Sequence, residues 1–244
     1  MYDATLMHNA DFKVGQTKAG HPSVIDLDWP HQYRIIPSEY PPINFFEQLV
    51  DPGLMDELYY LESLTNDRLR DEAGDITLVP AKDRITGPGA SPVMAAFTHA
   101  SLDSPSRFSD GSYGVYYASK TLETAISETK YHRARFLACT NEDAGEISMR
   151  VYIGKVIKPM HDVRGDDYTH LHNPDNWSPG QAIGQEMKTI RSWGIIYHSI
   201  RDVGGECIAA LRPPAVSIPR QGPHLSYVWD GSRISDVYRK ILIK

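Results

Sequence analysis

The chemistry in this chain is densest between Arg107 and Glu128. There the sequence runs Arg107-Phe108-Ser109-Asp110-Gly111-Ser112-Tyr113-Gly114-Val115-Tyr116-Tyr117-Ala118-Ser119, and the next segment carries Glu123 and Glu128. An arginine ahead of a glycine-rich turn presents a planar fork that matches two phosphate oxygens. Tyrosines on the following segment offer flat faces to an aromatic or cationic ring. A carboxylate on the next helix stabilises positive charge beside that ring. Taken singly, each residue has a plainer reading: Arg107 as a surface ion pair, Tyr117 as core filling, Glu128 as a solvated helix position. Most charged side chains are simply exposed.

These groups need elements to hold them. Gln32 to Ile36 reads as a short strand closed by Pro37. Asp51-Pro52 suits the start of a helix, with Leu54, Leu58, Leu61 and Leu64 at helical spacing behind it. Residues 75–92, rich in Gly, Pro and charge, read as a loop or short hairpin, and Met94 to His99 fits a brief helix or strand equally well. Gly114 to Ser119 is a strand of good strand formers. It leads into a helix over Thr121–Phe136, capped by Ser119 or Thr121, with Leu122, Ala125, Ile126 and Thr129 on one face. Ile147, Met149, Val151 and Ile153 alternate with polar neighbours, as a half-buried strand requires. Ser178-Pro179-Gly180-Gln181 reads as a capping box opening a helix through Ile190. Strands are expected at Ile195–Ser199, Cys207–Leu211, Ala215–Ile218 and His224–Trp229. Such a mixture, without regular alternation, indicates an α+β fold with a strand-rich core and flanking helices. Residues 1–30 are expected to be a loosely ordered arm, and 31–244 a single domain.

Composition narrows the function classes. A net charge of −6 in 244 residues opposes binding to nucleic acid, which needs a basic face. No apolar run approaches the ~20 residues that span a bilayer, and the first residues lack an apolar stretch of signal-peptide length. Cys139 and Cys207 are too few for a disulfide scaffold, and Cys207, beside Ile208-Ala209-Ala210, reads as a buried structural thiol. The expectation is a cytoplasmic protein with no direct nucleic-acid or membrane partner.

The run from Arg107 through Gly114-Val115-Tyr116-Tyr117-Ala118-Ser119 to Leu122-Glu123-Thr124-Ala125-Ile126-Ser127-Glu128 resembles the RES domain, which supplies toxins of bacterial toxin–antitoxin modules. Tyr33-Arg34-Ile35 is similar to that family's first arginine motif. Gly194-Ile195-Ile196-Tyr197-His198-Ser199-Ile200-Arg201 and Gly204-Gly205-Glu206 are similar to the segment that supplies its serine. The resemblance implies an ADP-ribosyltransferase-like fold and consumption of NAD by hydrolysis, phosphorolysis or transfer of ADP-ribose to a protein. It assigns Glu128, Arg107 and Ser199 to catalysis, and Tyr33, Arg34, Arg107, Tyr117 and Ser199 to NAD binding. Glu123 is a rival to Glu128, which is preferred for its spacing from Tyr117. NAD is then a substrate, and no metal is called for. The implied partner is an antitoxin bearing an Xre-like helix-turn-helix, with a protein acceptor of ADP-ribose as a further partner. A catalytically inactive binding module is the alternative.

The implied chemistry is physically coherent. Nicotinamide leaves its ribose neutral, so the cost lies in the oxocarbenium-like sugar, which a carboxylate stabilises. In this reading Glu128 takes that role, Arg34 and Arg107 hold the pyrophosphate, Tyr117 packs on nicotinamide, and Ser199 orients the amide or ribose. One departure stands out. Many protein ADP-ribosyltransferases carry Glu or Gln two positions before the catalytic Glu, where this chain has Ile126. His161-Asp162, Asp166-Asp167 and His170-Leu171-His172 suggest a metal site, but lack a third ligand at standard spacing. No Gly-x-Gly-x-x-Gly element is present, so any NAD is not held in the Rossmann manner.

Overall fold

The structure is a computed structural model that describes residues 20–38 and 74–243. Its framework is one nine-stranded sheet. In chain order the strands are β1 (Val24–Ile25), β2 (Gln32–Pro37), β3 (Tyr116–Ser119), β4 (Gly145–Gly154), β5 (Met160–Asp162), β6 (Gly194–His198), β7 (Glu206–Ala210), β8 (Arg220–Trp229) and β9 (Ile234–Lys240). Across the sheet they lie in the order β1-β5-β6-β7-β3-β2-β4-β8-β9. β5 and β6 run parallel and every other neighbouring pair antiparallel. Three helices flank it among the described residues: α1 (Ser91–Thr98), α2 (Leu122–Thr140) and α3 (Ser178–Thr189).

Side-chain alternation divides the central strands between two layers. Ile196, Ile208 and Ala210 point into a cluster with Val93, Met94 and Phe97 of α1. Their neighbours Ile195, Tyr197 and Ala209 pack with Phe108, Tyr113 and Met187 of α3 on the other side. Both faces are therefore covered, which explains why these strands read as continuous apolar runs. A third cluster joins Ala125 and Leu137 of α2 to Met149, Val151, Leu225 and Tyr227 of β4 and β8.

The strand–turn–helix unit β3–α2 is built by local chemistry. Thr121 is extended, and its hydroxyl accepts from the Thr124 N–H, capping the first turn of α2. The helix runs four residues past the expected Phe136, to Thr140, and stops where Asn141 turns left-handed at φ 51°. Glu123 and Glu128 leave this helix about 140° apart, because five residues exceed one 3.6-residue turn.

Several expectations change. Residues 75–92 contain two short 3-10 turns, Ile76–Leu78 and Ala81–Asp83, with no hairpin. Met94 to His99 falls within α1 and its cap. The capping box at Ser178 does not form: Trp177 holds the cap position, and the Gln181 amide donates to the Ser106 carbonyl at 3.1 Å. That tertiary partner outcompetes the local one. Ala215 to Ile218 makes only an isolated bridge, Val156 to Val216, while β9 was missed because it is short of apolar alternation. Within the stretch expected as a loose arm, Val24–Ile25 pair with β5 and Trp29 is buried, so apolar burial orders residues 20–30. The helix expected over 54–64 lies outside the described residues. No helix among those described is long and apolar enough to cross a membrane.

Candidate active site

A cavity of about 800 Å³ opens between β2, β3, α1 and α2, large enough for a ligand of several rings. Tyr33, Arg34, Arg107, Tyr117 and Glu128 all line it. Ser199 stands behind the wall and reaches the cavity through Glu128. Glu123 is exposed on the other side of α2 and takes no part.

Glu128 is held rather than solvated. Its Oε1 accepts a 2.6 Å hydrogen bond from the Ser199 hydroxyl. The Ser199 oxygen in turn accepts from the N–H groups of Arg201 (3.1 Å) and Asp202 (3.0 Å), which fixes the direction in which it donates. Asp202 then accepts from Thr124 at 2.6 Å, tying the β6–β7 turn to the first turn of α2. Burial raises the Glu128 carboxyl above its ordinary value; the Ser199 hydrogen bond and the Arg107 and Arg201 cations oppose that rise without cancelling it.

The two expected arginines reach the cavity in different ways. Arg34 lies over the Tyr116 ring at 4.6 Å and donates from Nη1 to the Tyr117 carbonyl at 3.0 Å. Its Nε is buried without a hydrogen-bond partner among the described residues. Arg107 donates from Nη1 to the carbonyls of Leu171 (2.8 Å) and Asn173 (3.0 Å). Neither makes an ion pair with a carboxylate among the described residues, so both keep charge available for an anion. Tyr117 is fixed by its hydroxyl, which pairs with Ser106 at 2.8 Å and accepts from the Phe108 N–H at 3.0 Å. Its ring is thereby fixed in the cavity wall, and burial pushes its phenol up to about 12.

Two features of the site lie outside the sequence expectations, and a third, Arg201, enters them only as part of the Ser199 motif. His132 follows Glu128 by one helical turn and also lines the cavity; the four-residue interval was the available signal. Arg201 lines it too, with its guanidinium 3.3 Å from the Tyr131 ring centre. Gly180 and Gly184 lie four apart on α3, where an added Cβ would meet the carbonyls of Arg107 at 2.4 Å and Phe108 at 2.1 Å. Only glycine lets the helix approach the loop that carries Arg107.

The His- and Asp-rich stretch is engaged in other ways. His161 shares a hydrogen bond with Ser192 at 2.7 Å, Asp162 accepts from Arg164, and the His172 ring meets the Tyr168 carbonyl at 3.0 Å. No three potential ligands converge on a metal position among the described residues. Cys207 is buried beside Ser119 at 3.3 Å, and burial pushes its thiol up to about 12.

Comparison with known proteins shows the family. The uncharacterized protein y4oC of Sinorhizobium fredii is 30% identical over 210 residues, covering 84% of this chain and 86% of that protein. The M. tuberculosis MbcT–MbcA toxin–antitoxin complex aligns with a TM-score of 0.35 at 15% identity, over 48% of this chain and 67% of that chain. The family model described as RES domain matches residues 83–230, a span that holds Arg107, Tyr117, Glu128 and Ser199 and leaves Tyr33 and Arg34 outside. This chain belongs to the RES domain family.

Proposed function

We propose that this chain binds NAD in the cavity and breaks its nicotinamide–ribose bond, on an ADP-ribosyltransferase-like arrangement of strands and helices. The observation that carries the reading is the half-buried Glu128 carboxylate, anchored by Ser199 and facing a cavity lined by Arg34 and Arg107, neither of which pairs with a carboxylate among the described residues. Arg34 and Arg107 take the pyrophosphate. Tyr117, locked at its hydroxyl, offers its ring to nicotinamide, with Tyr33 beside it. Glu128 stabilises the positive charge that develops on the ribose as the bond to the ring nitrogen lengthens. Ser199 serves as a positioning residue, because its proton is committed to Glu128. Membership of the RES family supports a toxin acting in the cytoplasm, restrained by an antitoxin with an Xre-like helix-turn-helix. NAD is consumed as substrate, and the chemistry described draws on no metal.

The test is nicotinamide release from NAD by purified protein, with and without phosphate, and with labelled NAD in lysate. Release that needs phosphate identifies a phosphorylase, release without it a hydrolase, and labelled protein a transferase. Folded protein, free of antitoxin, that releases no nicotinamide under any of these conditions overturns the reading.

The pH dependence follows from the site. The working form of Glu128 is the anion, so activity rises with pH through a carboxyl value held above the ordinary range. Ser199→Ala removes the hydrogen bond that favours the anion. Its acidic limb is expected to move further up in pH. A hydrogen bond to a charged group contributes about 1.5–3 kcal/mol, so kcat at neutral pH is expected to fall roughly 10- to 100-fold. An unshifted limb in rate–pH profiles would remove Ser199 from this role.

A further inference from the structure

From the placement of His132 between Glu128 and solvent, we infer that it is the group that receives the attacking oxygen nucleophile and takes its proton. This step rests on the proposed cleavage of NAD and adds the acceptor side of the same site. Three observations carry it. His132 Nε2 lies 4.0 Å from Glu128 Oε2, too far for a direct hydrogen bond and a span that one oxygen atom can bridge. The two side chains differ in access: Glu128 is 18% exposed and His132 56%, so the imidazole occupies the side from which an acceptor arrives. The ring is also oriented, flanked by Tyr131 at 5.4 Å and Trp177 at 6.5 Å between ring centres.

The charges around the imidazole agree. Partial burial, followed by Arg201, Arg107, Arg135 and Arg133, pushes it below its ordinary value. At neutral pH the ring is uncharged and offers a lone pair. In the step, the acceptor oxygen forms a bond to the anomeric carbon while its proton passes to His132. The bond from that carbon to the pyridinium nitrogen breaks, its electron pair stays with the nitrogen, and nicotinamide leaves neutral. The imidazolium, crowded by arginines, then gives the proton to solvent, and one proton is released per NAD hydrolysed. Glu128 stabilises the sugar cation from the inner side and His132 delivers the nucleophile from the outer side, which divides the two roles between neighbouring helical turns.

The experiment compares wild type with His132→Ala and His132→Asn, with water as the acceptor. The readouts are nicotinamide release, NAD affinity by titration, and rescue by free imidazole. General-base loss is worth about 10²–10⁴ in rate. The expected result for His132→Ala is a fall of that order in kcat with NAD affinity unchanged, and partial recovery on adding imidazole. His132→Asn keeps polarity but cannot take the proton, and is expected to stay low. A wild-type protein that releases nicotinamide alongside a His132→Ala variant within twofold of it overturns the inference and leaves the proposed function standing. So does a loss explained by weaker NAD binding that imidazole fails to restore. A wild-type protein that releases none overturns both.

Discussion

Glu128→Gln is expected to slow nicotinamide release by roughly 10²–10³-fold, the scale of losing one electrostatic group aimed at developing charge. The amide has the same shape, and its oxygen can still accept from Ser199. What disappears is the negative charge opposite the ribose cation. Stability moves the other way. A carboxyl whose folded value is raised favours the folded chain in its protonated form, and that contribution is lost as pH rises through the folded value. At neutral pH the ionised Glu128 therefore opposes folding, and the glutamine variant is expected to melt at the same temperature or slightly higher. Glu123→Gln, at an exposed position, serves as the control and is expected to keep activity within twofold. The measurement is paired, with kcat and thermal melting on the same preparations. Full activity in Glu128→Gln would end the assignment.

Asp83→Ala carries the largest expected effect on stability. Asp83 is buried, with its side chain 4% exposed, and accepts from Arg191 Nη2 at 2.9 Å and from Arg212 Nη2 and Nε at 2.6 and 3.1 Å. Removing it leaves Arg212, 18% exposed, facing Arg191, 43% exposed, with no carboxylate between them. Breaking such a buried arrangement from one side costs about 3–5 kcal/mol, which corresponds to a drop of roughly 6–20 °C in Tm for a chain of this size. The two arginines hold the Asp83 carboxyl below the ordinary carboxylate range against its burial. Its stabilising contribution is thus complete above the unfolded value near 3.9 and is lost as pH falls through the lower folded value. Denaturant titrations of the variant at pH 7 check the magnitude; a change below about 1 kcal/mol would refute it.

The legible parts of this molecule were those encoded locally. β4 was readable because Met149 and Val151 alternate toward a single layer, and the start of α2 because Thr121 caps its own helix. Glu128, Arg107 and Tyr117 could be singled out because they crowd one strand–turn–helix unit. The rest depends on partners distant in the chain. Nothing near Ser178 announces that Gln181 will turn to the Ser106 carbonyl. Nothing near Ser199 shows that its hydroxyl donates to a carboxylate on α2. Asp83 passed as one more charge in a polar loop, since Arg191 and Arg212 lie 108 and 129 residues away. The pair Gly180 and Gly184 is visible as spacing, but its meaning lies in the backbone it admits.

The link between Ser199 and Glu128 spans 71 residues of chain. On the ribosome, α2 emerges and can cap itself through Thr121 long before the β6–β7 turn exists. Until then Glu128 has no anchor, and Asp202 has not yet pinned that turn to Thr124. The carboxylate gains its orientation only when the last quarter of the chain folds back onto the first turn of α2. A chain halted before Ser199 therefore carries Arg34, Arg107 and Glu128 but not the contact that orients the carboxylate, so synthesis itself delays the appearance of the finished site to the end of translation.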